Sequence, residues 1–385
     1  MMNKIYMDHS ATTPVDSHVV DTMLPYLREQ YGNPSSIHSF GRATKIAIEE
    51  AREKIAAILN ARPNEIFFTS GGTESDNLAI KGTALQLQDK GKHIITSQTE
   101  HHAVLRTCQF LETIGYRVTY LKPDSHGQIH PGDVESAIDN ETILISIMHA
   151  NNETGTINPI DEIGQIAREN NIFFHSDAVQ SFGKLDIKLN ELPIDLLTIT
   201  SHKIYGPKGI GALFVRNGVK LMKQLHGGEH ERGLRAGTEN VAGMVGFAKA
   251  AELMIQNHEQ NTHHIQNLSD TLIKGIVESI DRVHFNGHPE HRLPNVVNIS
   301  FEGVEGESLL MGLDLRGIAV SSGSACTSGS IEPSHVLLAM NVSSQLAQAS
   351  VRFSLGRKNT IEEVEYVVAK TKEIVNRLRS FSPFS

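Results

Sequence analysis

One lysine in this sequence stands where covalent chemistry could take place. Lys203 lies in the segment 200–211, which reads TSHKIYGPKGIG and directly follows the apolar run 195–199. If that run is a strand of an open α/β sheet, Lys203 follows its carboxyl end, where such sheets bind ligands. An amine that burial or neighbouring charges keep neutral can form a Schiff base with a carbonyl compound. Lys203 is therefore a candidate covalent catalyst, and an ordinary solvated lysine is the alternative.

A pair of glycines could bind an anion such as a phosphate. Gly71 and Gly72 belong to the segment 70–77, SGGTESDN, which directly follows the apolar run 66–69. Glycines let backbone N–H groups approach an anion, and a following helix adds N–H groups and the positive end of its dipole. The pattern is neither a P-loop nor a dinucleotide-binding fingerprint. A plain strand–turn–helix connection is an equally good interpretation of this segment taken alone.

A carboxylate follows another apolar run. Asp177 comes directly after residues 172–176 and begins the sequence DAVQ, which ends at Gln180. A carboxylate at the end of a strand can keep a pyridine nitrogen protonated, which pyridoxal chemistry requires for its electron sink. The alternative for Asp177 alone is a helix N-cap.

The two cysteines of the chain lie in different surroundings. Cys326 lies in the segment 321–330, SSGSACTSGS, whose small residues predict an exposed and mobile loop. A thiol in such a loop is a candidate nucleophile. Cys108 lies in a predicted helix over residues 102–111, where we expect it to fill the core. Two cysteines cannot form a disulfide framework.

The composition is that of a folded, globular enzyme. The chain has 385 residues, of which 39% are apolar and 21% charged, which fits two or three domains and argues against disorder. With 35 basic and 44 acidic residues the net charge is −9, which argues against a nucleic-acid-binding protein. The first ten residues carry Lys4 and Asp8 and lack the apolar region of a signal peptide, and no run approaches the ~20 apolar residues of a membrane span. We therefore expect a cytoplasmic protein.

Short apolar runs alternate with helical patterns over roughly the first two thirds of the chain, and this alternation predicts an α/β domain with a mostly parallel sheet. Several runs are apolar on both faces, as expected of strands that are covered by helices on either side. The predicted strands are 66–69, 93–96, 117–121, 143–148, 172–176, 195–200 and 211–216. Predicted helices cover 43–59, 161–170 and the residues after Thr73.

The pattern changes after Asn257. A polar stretch at 257–267 begins a helix that could link two domains, and a capping box of Thr360 and Glu363 begins the last helix. Further strands are predicted at 296–301, 317–320 and 351–355. This mixture of strands and helices predicts a smaller α+β domain.

Together these segments resemble the cysteine desulfurases, the NifS/IscS-like branch of the class V aminotransferase family and of the fold-type I pyridoxal-phosphate enzymes. The resemblance extends nearly from end to end. Beyond the four segments above, it rests on residues 7–14 (MDHSATTP), 33–36 (NPSS), 99–101 (TEH), 149–153 (HANNE), 226–233 (HGGEHERG) and 235–238 (RAGT). Gly72 stands where some relatives carry alanine, a difference that leaves the phosphate-binding segment intact.

The resemblance implies a fold as well as an activity. The expected fold is a large domain with a mostly parallel seven-stranded sheet flanked by helices, together with a smaller α+β domain. The large domain would comprise residues 15–257. The small domain would comprise residues 1–14 and 258–385 and would carry the Cys326 loop.

The resemblance also implies which residues bind the cofactor, pyridoxal 5'-phosphate. Asp177 would pair with the ring nitrogen and Gln180 would donate to the phenolic oxygen, while Asn152 would also contact the cofactor. The residues expected around the phosphate are Gly72, Thr73, Thr200, His202 and, from the second subunit of a homodimer, Thr238.

Three residues would carry the reaction in this interpretation. Lys203 would hold the cofactor covalently and shuttle the Cα proton of the substrate, and His101 would stack on the pyridine ring and assist that transfer. Cys326 would receive the sulfur of L-cysteine as a persulfide, and L-alanine would be released.

The remaining contacts implied by the resemblance are those of the substrate and of the sulfur acceptors. Asn152 and Arg352 would bind the substrate carboxylate. Acceptor proteins would take the sulfur for iron–sulfur cluster assembly or for tRNA thiolation, and Cys326 could transiently ligate a cluster on such a scaffold. No intrinsic metal site, no direct nucleic-acid contact and no membrane contact is expected, and the sequence does not identify the acceptor.

Two alternative functions stay open at this point. Another fold-type I enzyme, such as a selenocysteine lyase or an aminotransferase, would share Lys203 and Asp177 but would not need a thiol on a mobile loop. A metal-binding protein would account for the 20 histidines. His226 and His230 are four residues apart, but Gly227 and Gly228 between them argue against a helix that would present both on one face.

A cysteine substitution separates these alternatives. A cysteine desulfurase should be purified as a yellow protein, and Cys326→Ala should keep the colour but lose sulfide release from L-cysteine under reducing conditions. Sulfide assays and absorbance spectra measure both properties. Full sulfide release by Cys326→Ala would favour a lyase, and a colourless Lys203→Ala protein that still binds zinc stoichiometrically would favour metal binding.

Overall fold

The structure, a computed structural model, describes residues 4–322 and 332–381. The strands in these ranges, in chain order, are Ile5–Tyr6 (β1), Ile66–Thr69 (β2), His93–Ser97 (β3), Arg117–Leu121 (β4), Thr142–Ser146 (β5), Phe173–Asp177 (β6), Leu196–Thr200 (β7), Gly211–Val215 (β8), Val283–Asn286 (β9), Val296–Phe301 (β10), Ile318–Ala319 (β11), Ser321–Ser322 (β12) and Ser350–Ser354 (β13). The α-helices are Ser17–Arg28 (α1), Ser39–Ile58 (α2), Gly72–Gln86 (α3), His102–Thr113 (α4), Pro131–Ala137 (α5), Ile160–Glu169 (α6), Val241–Gln256 (α7), His258–Ser279 (α8), Gly306–Asp314 (α9), His335–Ala339 (α10), Ser344–Gln348 (α11) and Ile361–Phe381 (α12).

In the described part of the chain, seven strands form the central sheet, in the order β2–β8–β7–β6–β5–β3–β4. The neighbouring pairs from β7 to β4 are parallel, whereas β8 runs antiparallel to both β7 and β2. Four of these strands, β3, β5, β7 and β8, are buried along their whole length, as strands covered on both faces must be. The predicted mostly parallel seven-stranded sheet is confirmed.

Successive residues of each strand pack against opposite layers of helices. Ile95 and Leu197 belong to the cluster formed with α2, α6 and α7. Their neighbours Ile94 and Leu196 point to the other face, where α3 and α4 pack. The two-residue period of a strand therefore puts apolar side chains on both sides of this sheet.

The predicted strand ends differ from the observed ones by at most two residues. The run predicted at 143–148 forms β5 at Thr142–Ser146. The strand is shorter because the N–H of Met148 donates to the carboxylate of Glu100, with 2.8 Å between nitrogen and oxygen, and not to a neighbouring strand. A side-chain acceptor from a distant segment thus ends the pairing with β3, although the N–H groups of Ile147 and His149 still donate to carbonyl groups of β6. The hydrophobic pattern carries no sign of this.

The residues after α7 form a second, smaller sheet. Strands β12, β13, β10 and β9 lie in that order and are antiparallel, and β1 pairs in parallel with β11. Helices α8, α9 and α12 pack with this sheet around a separate apolar cluster, which also includes Ile5 and Met7 from the N-terminal segment. The domain boundaries at residues 14 and 257 stay a prediction.

The predicted capping box of the last helix is present. The N–H of Glu363 donates to Thr360 Oγ1 and the N–H of Thr360 donates to Glu363 Oε2, each at 3.3 Å. Among the described residues, no helix is both long and apolar enough to cross a membrane.

A buried ion pair joins the start of the sheet to a distant loop. Arg52 on α2 donates to both carboxylate oxygens of Glu231, at 2.7 and 2.8 Å, and to the carbonyl oxygen of Ile66 at 2.7 Å. The carboxylate of Glu231 also accepts the N–H of Phe68 in β2 at 2.7 Å. Both charged side chains are almost fully buried, so each depends on the other for its solvation.

We predict that Arg52→Met lowers the free energy of unfolding by about 3 kcal/mol, because it leaves the Glu231 carboxylate buried without its counter-charge. Glu49→Gln is the matched control, since Glu49 makes an exposed contact with the same arginine and should matter by less than about 0.5 kcal/mol. Urea unfolding curves of the two variants measure the difference. Equal destabilisation by both would contradict a stabilising role of the buried pair.

Candidate active site

A cavity of about 300 Å³ lies at the carboxyl edge of the central sheet. Ten of the twelve site residues predicted from the sequence line it, namely Gly72, Thr73, His101, Asn152, Asp177, Gln180, Thr200, His202, Lys203 and Arg352. Thr238 is exposed in the segment between β8 and α7 and does not line the cavity, and Cys326 lies outside the described residues.

The topology of the sheet explains why these side chains meet. Asp177 is the last residue of β6, and Lys203 follows β7 by three residues. Helix α3 begins at Gly72, just after β2, and His101 is the N-cap of α4, after β3. Because β2, β3, β6 and β7 all run in the same direction, the residues that follow them converge at one edge of the sheet.

Backbone carbonyl groups of the N-terminal segment hold the amine of Lys203. Its Nζ donates to the carbonyl oxygen of Ala11 at 2.8 Å and also to that of Ser10. The same two segments are joined again where the N–H of Thr13 donates to the carbonyl oxygen of His202 at 3.0 Å. The lysine therefore has a fixed position even though it follows the strand in a loop.

The carboxylate of Asp177 is buried in the wall of the cavity, next to other buried polar groups. Its Oδ1 accepts the N–H of Val179 at 2.8 Å, in a turn and not at a helix N-cap. Burial raises the pKa of Asp177, and the Val179 N–H and the charge of Lys203 partly oppose that rise. Burial and the charge of Asp177 together raise the pKa of the neighbouring Asp76 well above its ordinary value. A cationic ligand group beside Asp177 would stabilise its ionised form.

His101 presents a neutral ring to the cavity. Its Nδ1 accepts the N–H of Ala103 at 3.1 Å, so a neutral ring carries its proton on Nε2. Burial, followed by the charges of Lys203 and of two neighbouring histidines, lowers the pKa of His101 to about 4. A neutral aromatic ring in this position can lie against a flat aromatic ligand.

Arg352 provides the cationic end of the cavity. Its guanidinium donates to the carbonyl oxygen of Asn152 at 2.8 Å and to a carboxylate oxygen of Asp8 at 2.9 Å. Its Nε is buried and has no hydrogen-bond partner among the residues that the structure describes. A buried guanidinium with an unused donor is suited to bind a ligand carboxylate.

The N-terminus of α3 forms the anion-binding end. The first N–H groups of this helix, beginning at Gly72, have no acceptor within the helix and lie beside the hydroxyl groups of Thr73 and Thr200 and the imidazole of His202. A Cβ atom added to Gly72 would lie 2.8 Å from Val179 Cγ2, so a side chain here would press on the wall of the cavity.

These groups fit pyridoxal 5'-phosphate. The cavity has an amine for the aldehyde, a buried carboxylate for the ring nitrogen and N–H and hydroxyl donors for the phosphate. Each is a residue type that the chemistry of this cofactor requires. In the ranges 4–322 and 332–381, no group of three or more histidine, cysteine, aspartate or glutamate side chains is arranged to hold a metal ion.

Sequence reasoning missed several buried groups around the cavity. Asp76 lies within the segment 70–77 and lines the cavity. Lys184 follows Gln180 by four residues and lines a smaller cavity. Glu100, next to His101, accepts from the Ser97 hydroxyl at 2.9 Å and from the Met148 N–H. A charged residue within a chemically active motif is the signal that could have singled out Asp76 and Glu100, whereas Lys184 lies outside the motifs. Cys108 is fully buried in α4 as predicted, and burial raises the pKa of its thiol.

Known proteins are similar to this chain over nearly its whole length. A family model described as Aminotransferase class-V matches residues 5–367. A protein of Dictyoglomus turgidum named cysteine desulfurase IscS is 52% identical over 384 residues, covering 100% of this chain and 98% of the relative. A Methanosarcina thermophila protein of the same name is 55% identical, covering 99% of this chain and 94% of the relative.

Solved structures show the same similarity. A NifS-like protein superposes with a TM-score of 0.92 at 39% identity, covering 97% of this chain and 100% of the other. A structure described as SspA in complex with cysteine superposes with a TM-score of 0.83 at 40% identity, covering 93% of this chain and 100% of the other.

We predict that Glu100→Gln changes the pH dependence of stability. Burial raises the pKa of Glu100 to about 8 from an ordinary value of 4.5, so the folded protein binds this proton more tightly than the unfolded chain. The resulting stability is fully present below pH 4.5 and is lost as the pH rises toward 8.

The amide of the Glu100→Gln variant stays neutral, so this variant should exceed the wild type by at least about 1 kcal/mol in free energy of unfolding at pH 8.5, with a smaller difference at pH 5. Urea unfolding of both proteins over this pH range, at equal cofactor saturation, measures the difference. Exposed Glu135→Gln is the control and should run parallel to the wild type. A difference between Glu100→Gln and the wild type that does not grow with pH would refute the assignment.

Proposed function

Because this chain belongs to the class-V aminotransferase family, and within it to the cysteine desulfurases, we propose that Lys203, His101 and Cys326 carry out its reaction. The protein is a pyridoxal-phosphate-dependent cysteine desulfurase, which removes sulfur from L-cysteine and leaves L-alanine. The observation that supports the residue assignment most strongly is that Lys203, Asp177 and Arg352 line one cavity.

Pyridoxal 5'-phosphate, when bound, supplies an electron sink for the carbanion at the substrate Cα. Asp177 would hold the ring nitrogen protonated, and Gln180 would donate to the phenolic oxygen. The N–H groups at the start of α3, with Thr73, Thr200 and His202, would bind the phosphate. Asn152, which lines the same cavity, would also contact the cofactor.

Arg352 and Asn152 orient the substrate. The guanidinium of Arg352 is fixed by Asp8 and by the Asn152 carbonyl group, which leaves its Nε for the substrate carboxylate. With the carboxylate held there, the substrate amine would lie in the cavity that Lys203 also lines. The charge and the unused Nε–H donor of Arg352, together with the amine of Lys203 in the same cavity, therefore favour an α-amino acid as substrate.

Lys203 moves the Cα proton once its amine is free of the cofactor. The carbonyl groups of Ser10 and Ala11 hold this amine at the cavity. His101 lies close enough for the charge of Lys203 to lower its pKa. Proton transfer by a positioned amine is ordinary general acid–base catalysis.

Cys326 receives the sulfur in our proposal. Its thiolate attacks the substrate sulfur, so that an S–S bond forms as the Cβ–S bond breaks. The electron pair of the broken bond stays on carbon, which takes up a proton before L-alanine leaves. The persulfide on Cys326 then passes to acceptor proteins, for which iron–sulfur cluster assembly and tRNA thiolation are the proposed destinations.

We further propose a homodimer in which Thr238 reaches the phosphate of the partner subunit, since Thr238 is exposed and does not line the cavity of its own chain. The proposed compartment is the cytoplasm, where reducing conditions keep the thiol of Cys326 available. A large domain over residues 15–257 and a small one from 1–14 and 258–385 remain our proposal for the domain division.

The activity itself is tested by stoichiometry. With L-cysteine and a thiol reductant, the purified protein should release alanine and sulfide in equal amounts. Equal amounts of pyruvate and ammonia in place of alanine would contradict the proposed reaction.

We predict that Arg352→Lys raises the KM for L-cysteine about 100-fold while the cofactor absorbance stays unchanged, because lysine lacks the Nε–H donor that Arg352 offers to the substrate carboxylate. Steady-state sulfide release against cysteine concentration gives KM. Arg292→Lys is the matched control, since Arg292 is partly buried and does not line the cavity. An unchanged KM in a cofactor-loaded Arg352→Lys protein would remove Arg352 from the substrate site.

A further inference from the structure

A second lysine, Lys184, lies next to the active-site cavity without lining it and takes no part in the reaction described so far. Lys184 follows Gln180 in the connection between β6 and β7 and is partly buried. Its Nζ donates to the backbone carbonyl oxygen of Gln180 at 2.8 Å and lies 3.5 Å from Gln180 Oε1. Partial burial of an ammonium group costs free energy, which its hydrogen bonds to Gln180 offset in part.

A chain of hydrogen bonds connects Lys184 to Lys203. The Gln180 side chain accepts from Lys184 through Oε1 and donates through Nε2 to the carbonyl oxygen of Ser10 at 3.0 Å. The amine of Lys203 donates to that same carbonyl oxygen. An ammonium group can only donate, so Lys184 fixes which end of the Gln180 amide faces it. The NH₂ end is thereby turned toward Ser10 and the cavity.

Both lysines also line a second, smaller cavity of about 30 Å³. Three other side chains of its lining, His9, Asn261 and Asn295, each carry a buried polar atom with no hydrogen-bond partner among the described residues. A space of this size has room for about two or three water molecules, each needing roughly 10–15 Å³. Lys203 thus lines two cavities, and the ammonium group of Lys184 belongs to the smaller one.

The charge that acts on Lys184 is that of Lys203. Burial, and then the charge of Lys203, lower the pKa of Lys184 to about 7. Burial is also the main reason that the pKa of His9 falls to about 4, with the charge of Lys184 second. The charge of Lys184 also reaches His202, and His258 makes a hydrogen bond with the Lys184 carbonyl group. Asp8 and Arg357 act on His9, and the charge of Lys203 acts on Asp177.

We propose that Lys184 is a positioning residue for the desulfurase reaction, which orients the Gln180 amide toward the cofactor and, by its charge, opposes a positive charge on the nitrogen of Lys203. This inference depends on the proposed role of Lys203. The nitrogen of Lys203 must be neutral at working pH to react as a nucleophile. The positive charge of Lys184 lies in the smaller cavity and disfavours protonation of the Lys203 nitrogen without entering the substrate cavity.

The test follows the absorbance of the bound cofactor as a function of pH. Lys184→Met should move the midpoint of the spectral change upward by about one pH unit, because the neighbouring charge is gone. Lys184→Arg, which keeps both the charge and the donors, should stay within about 0.3 unit of the wild type. Lys208→Met is the charge control, since Lys208 is exposed and its charge also reaches His202. It should leave the midpoint unchanged.

A cofactor-loaded Lys184→Met protein with the wild-type midpoint would overturn the proposal, as would an equal shift in Lys208→Met. If the wild type shows no cofactor band that borohydride removes, the proposed role of Lys203 fails and the inference about Lys184 fails with it, whereas a normal wild-type band with an unshifted Lys184→Met midpoint overturns the inference alone.

A measurement on the wild type guards against a Lys184→Met protein that does not fold. The ¹³Cε resonance of Lys184, assigned with Lys184→Arg, should titrate at a pH that differs by about one unit between the apoprotein and the cofactor-loaded protein. Identical titrations would also overturn the proposal.

Discussion

The site depends on one contact, the hydrogen bonds from the amine of Lys203 to the backbone carbonyl groups of Ser10 and Ala11. The central sheet brings Lys203 to its carboxyl edge, but the lysine follows β7 in a loop that the sheet alone does not fix. Carbonyl oxygens orient an ammonium group without adding a formal charge, so the amine keeps its chemistry while its position is fixed. The N-terminal segment also supplies Asp8 for Arg352, so the two cationic groups of the site share one support.

Buried carboxylates are the second constraint on this edge. Asp76, Glu100 and Asp177 lie close enough to one another to interact, and burial is the main reason that the pKa of each is raised. Three uncompensated negative charges in one place would be costly, so the arrangement favours neutral acids or a cationic ligand. Lys203 and Arg352 provide the opposite charge in the same cavity. A cofactor that brings a protonated ring nitrogen to Asp177 would relieve part of that cost.

Much of this molecule follows from residue order, because parallel strands place the residues after them at one edge. The seven runs of the large sheet, the capping box of α12 and the buried state of Cys108 were each readable from local pattern. Other features depend on contacts between distant segments. Helix α2 begins at Ser39 and not at residue 43, because the imidazole of His38 accepts the N–H of Gly41 and extends the helix. The roles of Glu100 and Lys184 arise from burial against segments far away in the sequence, which no spacing rule encodes.

The central claim is that the amine of Lys203, and no other, bonds to the cofactor. Borohydride reduction of the loaded protein, followed by peptide mapping with mass spectrometry, tests that claim most directly, because it fixes the cofactor to whichever nitrogen held it. The account predicts a single adduct on the peptide containing Lys203. An adduct on Lys184, which lines the small cavity beside it, or on any other lysine would contradict it.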